Sequence, residues 1–479
     1  MNSESTFRKS LNLFDSTALV VGSMIGSGIF IVSSDIARQV GAPGWLMMVW
    51  LITGFLTVFA ALSYGELAGM FPKAGGQYVY LKEAYNPLIG FLYGWTLFLV
   101  IQTGTIAAVG MAFSKFLGVI IPWVSESVWI QYKFIKFGPA QIIAILSIVL
   151  LSWINSKGIK EGKRVQNAFT SGKFLLLLLF ILIGLIFATN SGAIQANKAI
   201  FWDPVQTSKE GHSIPLAGFA LIAAIGMAMK GSLFSADAWN NITFTAGEVI
   251  NPKKNIPLSL FLGTLFVTIL YLLANVVYIT VLPLRGNPHG ITVMDQGIQF
   301  ALNDRLGTAA IHNVFGNSAA IIMAIFIVIS TFGCNNGLIL SGARVYYSMS
   351  NDGLFFKKVG DLNRKGVPAK GLLVQCIWAS LLCLSGTYDQ LLDYVVFAVL
   401  IFYVLTIAGL FVLRKKRPEM ERPYKAFGYP VIPIIYIILA TLIMVILLIY
   451  KQDYTWPGLI IVLVGIPVYY LWRKKPIDI

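Results

Sequence analysis

The stretch Gly22-Ser23-Met24-Ile25-Gly26-Ser27-Gly28-Ile29-Phe30 lies in the middle of the first long apolar segment of the chain. It places three glycines and two serines where a membrane-spanning helix should be most continuous. In hydrocarbon, backbone N–H groups without helical partners are costly unless they line a cavity or receive a ligand. The stretch therefore predicts a helix broken at bilayer depth, and such a break indicates a binding site.

The composition agrees with a membrane environment. The chain has 57% hydrophobic residues, 12% charged residues and a mean hydropathy of +0.75. It has too few charged residues to form the surface of a soluble globular protein. Crossing about 30 Å of hydrocarbon takes roughly 20 residues, and we interpret twelve apolar stretches as spans of an all-α membrane protein. The predicted spans are Phe14–Gln39, Gly44–Leu67, Leu88–Val119, Gln141–Asn155, Gln166–Thr189, Ile214–Ile242, Leu258–Leu282, Asn313–Ser348, Gly371–Ser385, Leu391–Leu413, Val431–Tyr450 and Pro457–Trp472.

The net charge of +15 could suggest a nucleic-acid-binding protein, but the distribution of the basic residues along the chain is that of a membrane protein. Of the 36 Lys and Arg residues, 25 lie in or next to alternate loops on one side of the predicted spans, and nine lie in or next to loops on the other side. Lys173 and Lys230 lie inside spans. The positive-inside rule then predicts that both termini are cytoplasmic. The expected partner is the lipid bilayer, and no nucleic acid is expected.

A second interruption lies in the sixth predicted span, where Gly231 to Asn241 is a patch of small and polar residues. Breaks in spans one and six, five spans apart, are typical of two inverted five-helix repeats with a site at their interface. We therefore divide the chain into an N-terminal cytoplasmic segment, two repeats, and helices eleven and twelve with a cytoplasmic C-terminus. The predicted boundaries are 1–13, 14–189, 190–413 and 414–479.

The chemistry of such a site comes from the backbone. Free N–H groups of Gly26, Ser27 and Gly28 at the start of a half-helix favour an anion such as a carboxylate. Unpaired carbonyls near Met24, and from Phe234 through Ser235 to Asp237, suit a cation such as an ammonium. A carboxylate and an ammonium on one carbon define an α-amino acid. The alternative is that these glycines only allow neighbouring helices to approach closely.

The residues also resemble a known family. Gly22 to Phe30, Ser63 to Tyr85, Glu248 to Pro257, Ser330 to Gly337 and Arg414 to Tyr424 are similar to segments of the amino acid-polyamine-organocation transporters, especially the L-type amino acid transporter branch. The resemblance covers nearly the whole chain. It implies the inverted-repeat transporter fold, with ten core helices, discontinuous helices one and six, and two peripheral helices.

The resemblance also implies roles for individual residues. Lys173 would bridge the break in helix one to Ser330 and replace the sodium ion of sodium-coupled relatives. Phe234 matches the aromatic residue that closes over the substrate, Asn240 matches a position near the site, and Thr105 is a candidate for the side-chain pocket. The alternatives are that the stem of Lys173 extends to the interface and that Phe234 is ordinary core packing.

Several charged groups keep more than one interpretation. Asp237 can favour cationic substrates, cap a half-helix or pair with Lys230. Lys230 can face a water-filled vestibule, pair with Asp237 or extend outward. Four charges at the cytoplasmic ends of spans are expected to be solvated rather than paired in a gate. They are Glu66, Glu248, Lys163 and Arg164.

The sequence gives no reason to expect an enzyme, a cofactor or a metal. No nucleophile with a base, and no metal-ligand cluster, lies within the predicted spans. Among relatives suggested by the resemblance, those that pair with a glycoprotein heavy chain use a cysteine in the loop that here runs from Pro122 to Pro139. This loop has no cysteine, so no disulfide-linked heavy chain is expected.

These observations, together with the resemblance, predict a sodium-independent transporter in the plasma membrane, exchanging neutral α-amino acids by alternating access. One alternative is a proton-coupled symporter that uses Lys173, if burial lets its ammonium titrate. Another is a carrier of cationic amino acids or polyamines. A transporter-like amino acid sensor is the most distant alternative.

Overall fold

The computed structural model describes residues 7, 9–124, 127–132, 135–187, 189–385 and 388–474. Within these residues, eleven helical segments are long and apolar enough to cross a membrane. A shorter apolar helix, Ala369–Cys383, lies where the ninth span is predicted. The all-α membrane architecture is confirmed, whereas the inverted repeat and the domain boundaries stay predictions.

The first half of the chain contains ten helices. In chain order they are α1 Leu13–Met24, α2 Val32–Val40, α3 Pro43–Met70, α4 Gln77–Ala84, α5 Pro87–Thr96, α6 Gln102–Ile120, α7 Pro139–Ser156, α8 Ile159–Phe187, α9 Ser191–Ala199 and α10 Gly218–Ser235.

Eight further helices follow the second interruption. They are α11 Asn241–Phe244, α12 Pro252–Val281, α13 Val293–Gln296, α14 Leu306–Asn351, α15 Ala369–Cys383, α16 Tyr388–Lys416, α17 Val431–Tyr450 and α18 Gln452–Lys474. Helix α14 is kinked at Gly316, whose φ of 73° is left-handed.

Two short antiparallel hairpins lie in loops that are predicted to be on the outer side. Strand β1 (Ile130–Tyr132) pairs with β2 (Ile135–Phe137), with Gln131 opposite Lys136. Strand β3 (Val205–Thr207) pairs with β4 (Ser213–Pro215), with Gln206 opposite Ile214.

Helix α1 begins at a reciprocal cap. The side chain of Asn12 accepts a hydrogen bond from the Asp15 amide at 2.9 Å, and the Asp15 carboxylate accepts one from the Asn12 amide at 3.0 Å. This capping box satisfies two amides that would otherwise lack partners and fixes where the helix starts. Just before it, Leu11 forms an isolated parallel bridge with Val249, so the entering chain is tied to the segment after the second interruption.

The two interrupted helices lie at the centre of the bundle. Helix α1 packs against α8, α12 and α14, and α10 packs against α2, α3, α16 and α17. Large apolar side chains such as Phe55, Leu146 and Ile438 are exposed on the outside. That distribution is expected where hydrocarbon rather than water covers the surface.

Candidate functional site

The first predicted break is present. Helix α1 ends at Met24, residues 25–27 are not helical, and a 3₁₀ turn occupies Gly28–Phe30 before α2 begins at Val32. Ile25 is the first residue after α1 and is extended, with a ψ of 96°. The helix stops where the glycines begin, because glycine gains the most conformational freedom by leaving a helix.

Protein donors occupy the carbonyl side of this break. The Lys173 ammonium is 1% exposed and donates to the carbonyls of Gly22 and Ile25, the latter at 2.8 Å. The Ser330 hydroxyl lies 3.3 Å from the same Ile25 carbonyl, and the Cys334 thiol donates to Ser23 at 3.0 Å. Lys173 and Ser330 therefore meet at one oxygen of the break, and Lys173 does not extend to the interface.

The amide side of the break differs. Within the described part of the chain, no acceptor is hydrogen-bonded to the N–H groups of Gly26, Ser27, Gly28 or Ile29. The Ser27 hydroxyl, on a residue that is 1% exposed, also lacks a partner there. Buried donors without partners are rare and costly. Together they form a concentrated group of donors that suits an anion.

The second break is also present, slightly beyond the predicted residues. Helix α10 ends at Ser235, residues 236–240 are not helical, and α11 begins at Asn241. Ala238 has a φ of 65°, a left-handed conformation that is strained for a residue with a Cβ. The Asp237 carboxylate accepts a hydrogen bond from the Tyr403 hydroxyl at 2.5 Å. Asp237 and Lys230 line different cavities, and no ion pair joins them among the described residues, so of the open interpretations for Asp237 the pairing with Lys230 is not present.

The two breaks touch each other. A Cβ added to Gly28 would lie 2.0 Å from the Ser235 hydroxyl oxygen, so only glycine fits at this contact. The Tyr271 hydroxyl is 3.0 Å from the Met24 carbonyl and 3.1 Å from the Ser235 carbonyl, which end the two half-helices. One tyrosine thus joins both breaks.

This contact corrects the prediction of unpaired carbonyls. The carbonyls of Met24 and Ser235 interact with Tyr271, and the Phe234 carbonyl accepts from the Asp237 amide at 3.2 Å. The physical reason is that carbonyls at the end of a helix in a buried setting need donors, and neighbouring helices supply them. The prediction of bare amides holds, whereas that of bare carbonyls at these positions is wrong.

The remaining predicted site residues line two small cavities beside the second break. Phe234 and Asp237 line a cavity of about 20 Å³ together with Trp239. Thr105, Asp237 and Asn240 line a second cavity of about 10 Å³. Each has space for about one water molecule. Neither is lined by Met24, Gly26, Ser27 or Gly28, so the structure places the predicted residues in two adjoining groups with Asp237 between the cavities.

The wall opposite Asp237 contains a feature that the sequence did not predict. Leu97–Ile101 forms one turn of π-helix between α5 and α6, and Leu97, Ile101 and Thr105 line the smaller cavity. Thr105 donates to the Ile101 carbonyl at 2.6 Å. Single π turns inside helices often mark functional sites.

Helix α12 supplies further residues that sequence reasoning missed. Besides Tyr271, Asn275 accepts a hydrogen bond from Ser33 at 2.7 Å, and the Tyr278 hydroxyl donates to the Ile29 carbonyl at 3.1 Å. Positions 271, 275 and 278 share one helix face. Three polar side chains at that spacing in an otherwise apolar span were the available signal.

At the end of the bundle near the N-terminal segment, the expectation of solvated charges is wrong for two residues. Glu248 is 1% exposed and pairs with Arg344 at 3.0 Å. Glu66 is fully buried and pairs with Arg414 at 2.6 Å and with Arg422 at 3.3 Å. Both carboxylates are covered by the protein itself, and a buried charge needs a partner.

The other two charges in that prediction differ from these. Arg164 is exposed, as expected for a solvated group, and the side chain of Lys163 lies outside the described residues.

Comparison with known proteins adds independent evidence. The profile of the amino acid permease family matches residues 11–469. The human protein named large neutral amino acids transporter small subunit 2 is 30% identical over 482 residues, which cover 98% of this chain and 82% of that protein. The human b(0,+)-type amino acid transporter 1 is 30% identical over 477 residues, covering 98% and 88%. The mouse Asc-type amino acid transporter 1 is 28% identical over 484 residues, covering 98% and 82%.

Proposed function

We propose that this chain, which belongs to the amino acid permease family and is therefore a membrane transporter rather than an enzyme, exchanges neutral α-amino acids by alternating access. The observation that carries the proposal is the asymmetry of the first break. Its carbonyl side is filled by protein donors, whereas its amides and the Ser27 hydroxyl have no partner among the described residues. An α-carboxylate supplies the acceptors that these donors need.

Sodium independence is part of the proposal. The Lys173 ammonium lies against the Gly22 and Ile25 carbonyls, and Ser330 approaches the Ile25 carbonyl from α14. Carbonyl and hydroxyl oxygens are what a sodium ion would use at a helix break. A tethered ammonium in that place supplies the positive charge without an ion gradient.

The two cavities support alternating access. At about 20 and 10 Å³ they are too small for an amino acid, and the two breaks are in contact at Gly28 and Ser235. Substrate entry therefore requires the half-helices to move apart. At one end this movement is opposed by the buried pair of Glu248 and Arg344, which must separate when that end opens.

Asp237 favours a second substrate class, cationic amino acids. Its carboxylate lies at both cavities, where a positively charged side chain would approach it. The hydrogen bond from Tyr403 already stabilises that carboxylate, which weakens its pull on a second cation. Polyamines lack the carboxylate that the first break suits, so we place amino acids before them.

Counterflow in proteoliposomes tests the proposal. Vesicles loaded with an unlabelled neutral amino acid should take up the labelled one, with potassium replacing sodium and with no pH gradient. Empty vesicles should take up little. Uptake into empty vesicles that needs a pH gradient would instead establish proton symport, and uptake driven only by lysine or arginine would establish a cationic carrier.

A panel of ligands separates transport from sensing. Amino acids that raise the unfolding temperature and also exchange across the vesicle membrane fit a transporter. Stabilisation without any flux would fit the sensor alternative. Gly172 has open space around it, so the Gly172→Ala variant is a matched control for handling and reconstitution.

We also propose that the chain works in the plasma membrane without a disulfide-linked heavy chain and with both termini cytoplasmic. The three cysteines, Cys334, Cys376 and Cys383, are buried and therefore poorly placed for an intermolecular disulfide. Non-reducing electrophoresis of protein from native membranes should show a single chain. A larger species that reducing agent splits would contradict this proposal. Accessibility of cysteines introduced at each terminus would test the orientation.

A further inference from the structure

A large polar cavity lies on the side predicted to be extracellular, separate from the two small cavities at the breaks. Its volume is about 440 Å³, and its walls come from α2, the hairpin of β3 and β4, α10 and Lys451, the residue between α17 and α18. A hydrogen bond of 2.8 Å from Gln206 to Gln39 ties the hairpin to α2. The cavity is built from four separate parts of the chain.

Cationic side chains dominate this cavity. Arg38, Lys209, Lys230 and Lys451 line it, and Asp35 is the carboxylate among the lining residues. All four cations lie close enough to act electrostatically on Asp35. Arg38 has a second carboxylate partner, Asp304, at 2.7 Å. Among the lining residues, four basic side chains therefore share the cavity with one carboxylate.

This concentration is unusual for its side of the membrane. Only nine Lys and Arg residues are assigned to the outer side of the predicted spans, and three of them, Arg38, Lys209 and Lys451, line this one cavity. The positive-inside rule depletes such loops of basic residues. Lys230, the basic residue inside the sixth predicted span, joins the same group. Orientation in the membrane does not account for such a cluster, but a negatively charged ligand does.

The floor of the cavity connects it with the two broken helices. Val32 of α2 and Gly231 of α10 line it, and a Cβ on Gly231 would lie 3.0 Å from the Cβ of Val32. Val32 is four residues after Gly28, and Gly231 is four before Ser235, so the floor lies about one helical turn from the contact between the breaks.

We propose that this cavity binds an oxyanion, a phosphate or carboxylate group held between Arg38 of α2 and Lys230 of α10. The group is supplied either by a free solute or by the headgroup of an anionic phospholipid. Its charge neutralises the excess positive charge, and its oxygens accept hydrogen bonds from both half-helices. A bound oxyanion therefore holds the outer halves of the two broken helices together. This inference does not depend on which amino acid is transported.

Thermal unfolding in detergent tests the free-solute source. Inorganic phosphate should raise the unfolding temperature of the wild type with saturation, compared with sodium chloride at equal ionic strength. Lys230→Gln and, separately, Lys451→Gln should weaken the apparent affinity for phosphate by about tenfold. Lys198→Gln is the matched control, because Lys198 is an exposed lysine on the same predicted side that does not line the cavity.

Nanodiscs test the headgroup source. Neutral phosphatidylcholine discs with and without phosphatidylglycerol replace the phosphate titration. Stabilisation by phosphatidylglycerol that Lys230→Gln and Lys451→Gln remove, without any effect of free phosphate, assigns the oxyanion to a lipid. A shift that is equal in wild type, both cavity variants and Lys198→Gln reflects general salt effects and overturns the proposal. No shift with either probe also overturns it, and Lys451→Gln keeps the test valid if Lys230→Gln does not fold.

Discussion

The break at residues 25–27 and the break at residues 236–240 offer different groups to a ligand. In the first, protein donors bind the carbonyls, and the amides are left without partners in the described structure. In the second, the carboxylate of Asp237 and the ring of Phe234 project into cavities. Backbone amides stay the same when a residue is substituted, whereas a substitution at position 237 changes the group that faces the cavities. The first break therefore suits recognition of what all amino acids share, and the second suits selection among side chains.

The largest expected effect comes from disrupting the contact between the two breaks. In Gly28→Val, the added Cβ would lie 2.0 Å from the Ser235 hydroxyl oxygen and 3.0 Å from its Cα, so the half-helices must separate. Overpacking of this kind costs about 1–3 kcal/mol, which corresponds to up to about a hundredfold in affinity. All ligand-induced thermal shifts and counterflow should be lost.

Gly172→Val is the control for Gly28→Val, because a Cβ at Gly172 meets nothing within 4 Å. If Gly28→Val still binds its ligands with wild-type affinity, the first break is not the carboxylate site and the comparison between the breaks fails.

A smaller effect is expected from removing the ammonium at the first break. Lys173→Met leaves the Gly22 carbonyl without its side-chain donor, while the Ile25 carbonyl keeps Ser330. A buried polar group left unpaired costs about 1–3 kcal/mol. We expect a lower unfolding temperature in detergent and about tenfold slower counterflow. Lys198→Met, at an exposed position, should change neither quantity. A wild-type unfolding temperature and a wild-type counterflow rate in Lys173→Met would show that the break does not need the positive charge.

The smallest effect is expected at the second break. Asp237→Asn keeps the shape of the side chain and an oxygen that can accept from Tyr403. Because a charged hydrogen bond becomes a neutral one, the free energy of unfolding should change by about 1 kcal/mol or less. The ratio of lysine to leucine exchange should fall by roughly threefold to tenfold, because the negative charge is gone. Asp453→Asn, an exposed carboxylate at the start of α18, is the control. An unchanged ratio of lysine to leucine exchange would show that Asp237 does not determine substrate selectivity.

Much of the architecture could be predicted from the sequence. Glycines and serines inside apolar segments located both breaks to within a few residues. Unpaired backbone groups are so costly in hydrocarbon that helix-breaking residues within a span indicate a functional break. The bare amides followed from the same argument. Lys173 drew attention for a similar reason, since a charge inside a span needs a partner, but its bridge to Ser330 was implied only by the family resemblance.

The donors to the carbonyls could not be predicted in this way. Tyr271 and Cys334 lie hundreds of residues from Met24 and Ser23, and only the packed bundle brings them together. Glu66 was misjudged for the same reason. Its burial depends on Arg414 and Arg422, which follow the tenth predicted span, and the sequence gives no sign that this segment folds back over α3.

The hydroxyl of Tyr271 carries a single proton, yet two oxygens lie within its reach, at 3.0 and 3.1 Å. One proton cannot serve both at full strength, so displacing either half-helix transfers the whole bond to the other. A movement of α1 or of α10 thereby changes the strength of the hydrogen bond that Tyr271 makes to the other helix. Tyr271 therefore couples the two half-helices: its hydroxyl is shared between both carbonyls in this structure and would bind only one of them after either half-helix moves.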